Sequence, residues 1–124
     1  MATPGSEDLA ARHCIPCHGG IEPLRGAALA ALLAQLGGGW RCIDEHHLEK
    51  QYPFGNFADA LAFANEIGAL AEEQGHHPDL LVAWGKLGVA IWTHAIGGLA
   101  ESDFVLAAKI DQRFAAQARR SSPP

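Results

Sequence analysis

Apolar residues fall at helical spacing in three stretches of the chain. Over 24–36 (LRGAALAALLAQL), Leu29, Leu32, Leu33 and Leu36 line one stripe, which predicts a helix, and Gly37-Gly38-Gly39 predicts its end. Over 57–74, Phe57, Leu61, Ala64, Gly68 and Ala71 lie along one face, with Phe63, Ile67 and Leu70 beside it. Asn56 is a good N-cap for this helix, Asp59 puts a carboxylate near its positive N-terminus, and Gly75 suits the left-handed residue that closes it. Over 103–118, Phe104, Ala107, Ala108 and Asp111 form one stripe and Leu106, Ile110 and Phe114 the neighbouring one.

Elsewhere the pattern is that of strands. Residues 87–94 alternate, with Leu87, Val89, Ile91 and Thr93 on one face and Gly88, Ala90, Trp92 and His94 on the other. The apolar run 80–84 reads as a buried strand, and a turn at Gly85-Lys86 joins the two runs into a hairpin. Residues 40–54 are the least periodic. Trp40, Cys42, Leu48, Tyr52 and Phe54 are apolar or aromatic, charges break the alternation, and two short strands around a polar turn near 44–46 are predicted. Pro78 disfavours helix at His77, so His76-His77-Pro78-Asp79 is irregular or extended. The order α-β-β-α-β-β-α predicts an α+β fold of two layers: a four-stranded antiparallel sheet with helices packed on one face. A sheet this small has edges and a face that natural chains hide against another copy, so a homodimer or homotetramer is expected.

The 124 residues predict one domain over 13–118, between a flexible N-terminus (1–12) and a flexible tail (119–124). Hydrophobic residues at 48% and charged residues at 19% are a globular composition. A net charge of -5 argues against a general nucleic-acid binder. No apolar run approaches the roughly 20 residues that span a bilayer, so no membrane partner is expected. The opening MATPGSEDL has neither the basic nor the apolar region of a signal peptide. Three cysteines do not make a secreted disulfide framework. The expectation is a soluble, cytoplasmic, mildly acidic protein.

Seven histidines in so short a chain point to chemistry. Imidazole gives and takes protons near neutrality, and several in one cleft supply an acid and a base together. His76 and His77 leave a helix end, His94 ends a strand and Asp103 opens a helix, the kind of places where a scaffold presents catalytic groups. Cys14-x-x-Cys17, flanked by His13 and His18, invites a zinc or redox reading. A second cysteine pair is absent and no βαβ context surrounds it, so a loop with reduced thiols is preferred and no metal is expected. His46-His47 reads as a solvated turn.

Glu72, His76-His77-Pro78, Trp84, His94 and Asp103 satisfy, in order, the pattern of a charged residue, three free positions, His-His-Pro, an aromatic, a His and an Asp. That pattern resembles the signature of the pterin-4a-carbinolamine dehydratases. Phe54-Gly55-Asn56-Phe57, Thr93-His94-Ala95-Ile96-Gly97-Gly98-Leu99, Asp103-Phe104 and Ala107-Ala108-Lys109-Ile110-Asp111 are similar to the family too. So are Cys14-Ile15-Pro16-Cys17-His18-Gly19-Gly20 and Pro23-Leu24, which look like bacterial members. The resemblance covers roughly 13–116. It implies sheets paired edge to edge into dimers, some stacked into tetramers. It implies dehydration of 4a-hydroxytetrahydropterin to quinonoid dihydropterin, which recycles the cofactor of aromatic amino acid hydroxylases without a metal or organic cofactor. On the family's pattern His76, His77 and His94 are catalytic, and Gly75, Trp92, Thr93, Ala95 and Asp103 complete a pterin pocket with them.

Several roles stay open at this point. Which histidine is acid and which is base is not assigned. Asp103 either orients an imidazole, binds a pterin nitrogen or serves as helix N-terminal charge. Glu72 is either the family's charged residue or an exposed helix carboxylate. Trp84 and Trp92 either stack on a flat heterocycle or pack in the sheet. Relatives usually carry Thr or Ser where this chain has Ala100, and Glu101 or Ser102 is the expected substitute cap. The alternative function is a non-catalytic binding, coactivator or assembly-factor protein on the same fold; a protein partner is compatible with either reading. A small metal-binding module is a third.

Overall fold

The computed structural model describes residues 6–15 and 21–121. Helix α1 spans Ser6–Ala11 and α2 Gly26–Gln35. A first hairpin, β1 (Arg41–Ile43) and β2 (His47–Pro53), leads to α3 (Phe57–Gln74). A second, β3 (Asp79–Ala83) and β4 (Lys86–Ile91), leads through a 3₁₀ turn at His94–Ile96 to α4 (Glu101–Ser121). The strands form one antiparallel sheet in the order β1-β2-β4-β3. The expected α+β architecture is therefore the observed one, with α1 added.

Register sorts the side chains. Cys42, Leu48 and Ile91 are cross-strand neighbours, as are Lys50, Val89 and Leu80, and Tyr52, Leu87 and Val82. These face the helices, and Leu48, Tyr52, Leu87, Val89 and Ile91 are buried against Phe63, Ile67 and Leu70 of α3 and Phe104 and Ile110 of α4. On the opposite face Gly88 and Ala90 leave a groove of about 290 Å³ between Glu49 and Gln51 on one side and Asp79 and Leu81 on the other. The run 80–84 is thus an edge strand, not a buried one. Leu80 and Val82 pack on the core and Leu81 stays 62% exposed.

The charges that break the alternation in β2 have a structural cause. Lys50 points to the helix side, where its ammonium donates to Asp111 Oδ1 at 2.7 Å and to the Gly38 carbonyl at 2.9 Å. It also lies over the rings of Tyr52 (4.8 Å) and Trp40 (5.7 Å). Tyr52 Oη donates to the same Asp111 oxygen at 2.6 Å and Trp40 Nε1 to its Oδ2 at 2.9 Å. Burial, with Asp111 beside it, raises the Tyr52 phenol far above its ordinary pKa, so it remains a donor.

Residues 6–11, expected to be flexible, are a helix lying on α4. Leu9 is fully buried, Arg12 pairs with Asp8 and Glu101, and Lys109 Nζ donates to the Ala10 carbonyl at 2.7 Å. This explains why α4 does not show a single apolar stripe. Ser102 through Ala108 are all buried, because the sheet and α3 cover one side and α1 the other.

Helix ends follow the expected chemistry at α3 and depart from it at α2. Asn56 Oδ1 accepts from the Asp59 amide at 2.8 Å. Gly75 is left-handed (φ 65°), and the His76 amide reaches back to the Ala71 carbonyl at 3.2 Å, a Schellman closure. At α2 the cap residue Arg25 makes no side-chain capping bond, and Glu45 Oε2 accepts from the Gly26 amide at 2.9 Å instead. Glu45 and Asp44 both hold positive φ (55° and 54°) in the β1–β2 turn, a conformation that costs non-glycine residues energy.

Candidate active site

β3 and β4 are antiparallel with Asp79 opposite Ala90, so the chain enters β3 and leaves β4 at the same end of the sheet. His76 and His77 immediately precede β3, and His94 closely follows β4. Two independent signals on the sequence, the His-His-Pro break and the strand end, are thereby brought to one place. The strand expected to run to 94 stops at Ile91. Thr93 turns back to pair with Gly98, donating its amide to that carbonyl at 2.8 Å, and the 3₁₀ turn carrying His94 and Ala95 is the loop so closed. This closure requires Gly98 to lack a side chain: a Cβ there would lie 2.7 Å from Pro23 Cβ.

Asp103 organises the inner half of the site. It has no exposed surface. Its Oδ1 lies 2.6 Å from His76 Nε2, and its Oδ2 accepts from Thr93 Oγ1 and from the Ala100 amide, each at 2.8 Å. One carboxylate thus ties together the entry to β3, the exit from β4 and the first turn of α4. A buried carboxylate holding three donors is satisfied. It also performs the capping that Ala100 lacks, as the N3 side chain that reaches back to the N-cap amide. The expected substitutes are occupied elsewhere: Ser102 Oγ bonds the Ile15 amide and carbonyl, and Glu101 pairs with Arg12. Of the roles open for Asp103, the geometry favours orienting His76. With no accessible surface, it meets a ligand only through that imidazole. Thr93, also buried, has its hydroxyl committed to Asp103 and offers a ligand backbone atoms at most.

The outer half is more open. His77 pairs with Glu72 one turn back on α3 and its side chain is 60% exposed. His94 is exposed, and its ring stacks on Trp92 with centroids 4.3 Å apart and planes within 6°. Trp84 is not at this site. It sits in the β3–β4 turn with Gly85 (φ 84°), 76% exposed, at the other end of β3. The turn is Trp84-Gly85, not Gly85-Lys86.

The sequence reading missed His46 and His47. They are half-buried and not free in solvent: their rings lie 5.3 and 5.8 Å from that of Trp92. The available signal was positional. His46 ends the β1–β2 turn and His47 opens β2, the strand that aligns Leu48 with Ile91, one residue from Trp92.

The Cys14 amide donates to Gln74 Oε1 at 3.0 Å. Burial pushes the Cys14 thiol up to about 11, Lys109 opposing and Asp103 adding to the effect, so near neutral pH it is a protonated thiol and a poor nucleophile. Cys17 and His18, on which the rest of the zinc or redox reading turns, lie outside the described residues. Among the described residues no three His, Cys, Asp or Glu side chains are grouped to hold a metal ion.

The profile of the family described as Pterin 4 alpha carbinolamine dehydratase matches residues 22–113. A Rubrobacter xylanophilus protein named "Putative pterin-4-alpha-carbinolamine dehydratase" is 51% identical over 105 residues, covering 85% of this chain and 97% of its own. A crystal structure of a transcriptional coactivator/pterin dehydratase from Brucella melitensis superposes with a TM-score of 0.67 at 26% identity, over 73% of this chain and 97% of that one. A pterin dehydratase-like protein identified as a RuBisCO assembly factor in the alpha-carboxysome superposes with a TM-score of 0.51 at 26% identity, over 60% and 87%. The matched stretch contains every residue of the histidine site, and with it this chain belongs to the pterin-4-alpha-carbinolamine dehydratase family.

Proposed function

We propose that the protein is a hydro-lyase that converts a 4a-hydroxytetrahydropterin to the quinonoid dihydropterin and water, and so serves recycling of a pterin cofactor in the cytoplasm. The observation that carries this reading is the His76–Asp103–Thr93 hydrogen-bonded unit at the sheet end from which His94 is also presented. The reaction breaks the C4a–O bond and removes the proton on N5, leaving a C4a–N5 double bond. Hydroxide is a poor leaving group, so an acid must protonate it as it departs, and a base must take the N5 proton. With ionised Asp103 accepting from Nε2–H, neutral His76 keeps its Nδ1 lone pair for a proton, and the carboxylate stabilises the imidazolium that results. That suits His76 as the base. The histidines paired with carboxylates among the described residues are His47, His76 and His77, and His94, outside those pairs, suits the acid. His77 and the backbone of Gly75, Thr93 and Ala95 supply walls. Family membership supports the substrate class.

The test is the rate at which purified protein accelerates dehydration of chemically generated 4a-hydroxytetrahydropterin near neutral pH, with His76→Ala, His77→Ala and His94→Ala beside it. Acceleration that is lost in the folded variants is the expected result. No acceleration by folded wild-type protein overturns the reading.

A second reading is a binding or assembly role on the same fold. It is favoured by the related structures named as a coactivator and as an assembly factor, and by the edge of β3, where Leu81 stays exposed. We propose that this edge pairs with a second copy, since an unpaired strand edge is a template for another chain. Sedimentation at micromolar concentration reads the oligomer directly, and Leu81→Lys is expected to shift it toward monomer.

A further inference from the structure

We infer that His46 and His47 are positioning residues for His94, acting through Trp92; this rests on the dehydratase reading above. Among the described residues neither the His94 ring nor the Trp92 indole has a side-chain hydrogen-bond partner. What sets the plane of the His94 imidazole is its stack on the Trp92 indole. Whatever holds Trp92 therefore holds His94.

Two rings hold Trp92 from β2 and its turn. His46 meets it with planes 42° apart and His47 with planes 56° apart. These imidazoles are themselves locked. Their Nδ1 atoms are 3.0 Å apart, and His47 Nε2 lies 3.2 Å from Glu49 Oε2. The Glu49 carboxylate accepts from His47 Nε2–H, which leaves His47 Nδ1 as acceptor and His46 Nδ1–H as donor. Glu49 is in turn fixed by Arg41 at 3.1 Å. The turn that delivers the pair is the costly one with Asp44 and Glu45 at positive φ, tied to the first amide of α2 by Glu45. A strained turn, a directed imidazole pair and a carboxylate converge on one indole, which packs on the edge of the core and carries the His94 imidazole stacked on it. Strain of this kind persists where surrounding contacts over-determine it, and it clusters at functional sites.

The test has two readouts on this chain. The first is the Cε1 proton resonance of His94, assigned by its absence in His94→Gln. Stacking on the indole displaces it upfield, and this needs no turnover. The second is steady-state dehydration. In the His46→Ala/His47→Ala double variant the upfield displacement is expected to collapse. The kcat is expected to fall about tenfold with KM within about twofold, the signature of a misplaced group and not of lost binding. His46→Phe keeps a ring against Trp92 and is expected to restore both. A displacement unchanged in the double variant overturns the inference, as does a lost displacement with kcat intact. Wild-type protein without dehydratase activity overturns the functional reading instead, and the resonance still tells whether the ring contact exists.

Discussion

His76 Nε2 and Asp103 Oδ1 lie 2.6 Å apart across 27 residues of sequence, and the other oxygen of the same carboxylate accepts from Thr93 and Ala100. An imidazole held this way has one tautomer and one orientation. Asp103→Asn keeps the shape but removes the acceptor on one side. It is expected to lower dehydration by about 100-fold or more, as wrong-tautomer variants do elsewhere. Asp103→Ala leaves Thr93 Oγ1, the Ala100 amide and His76 without their acceptor inside the protein. Denaturant titration is expected to show a loss of about 2–4 kcal/mol, from the desolvation cost of groups left unpaired. Full activity in Asp103→Asn would remove Asp103 from the site.

Asp111, further along α4, is a second hub of the same kind. Lys50, Tyr52 and Trp40 all donate to it, and both ends of the Lys50–Asp111 pair are largely shielded. Asp111→Ala leaves a partly buried ammonium unpaired, and urea unfolding is expected to register a loss of about 3–5 kcal/mol. The Lys50→Met/Asp111→Leu double variant removes both charges and is expected to be far milder than the single one. Equal losses would mean that packing, not the charge pair, carries the energy.

Gly98 marks where the N-terminal segment crosses the His94 loop. Gly98→Ala drives a methyl to within 2.7 Å of Pro23 Cβ, a rigid ring that cannot swing aside. The expected cost is about 1–3 kcal/mol in stability, with reduced dehydration, because the Thr93–Gly98 bridge closes the loop that presents His94. A melting curve superimposable on that of the wild type would show that the segment yields freely.

Cys14 titrates high, pushed up from 9.0 to about 11 chiefly by burial. Alkylation followed in a Cys17→Ser/Cys42→Ser background is expected to be slow at neutral pH and to rise steeply only near pH 11. The linked stability has a definite sign. A group whose folded pKa is raised contributes fully below its unfolded value, near 9, and loses that contribution as pH climbs through about 11. Rapid alkylation at neutral pH would instead indicate a thiolate-stabilising loop.

Much was legible in the pattern of side chains. The three long helices, the two hairpins and the fold class follow from periodicities of 3.6 and 2, because each element must bury one face. Asn56 and Gly75 were readable as caps because those interactions are local. The histidine signature was legible as a pattern of residues at set spacing. The short N-terminal helix was not, since Ser6–Ala11 gains its stability from docking Leu9 on α4, and a six-residue helix has little of its own.

By itself, then, the sequence determined the elements, their local caps and the identity of the histidines at 76, 77 and 94. Only the tertiary structure decided that Asp103 grips His76, that Trp84 stands away from the histidines, and that His46 and His47 lie beside Trp92. It also decided that Lys50 turns inward to Asp111. Each of these depends on which strands become neighbours and in what register. A one-residue shift would turn His47 or Lys50 to the opposite face, so contacts between distant segments are settled by packing the whole sheet and not by any stretch of chain alone.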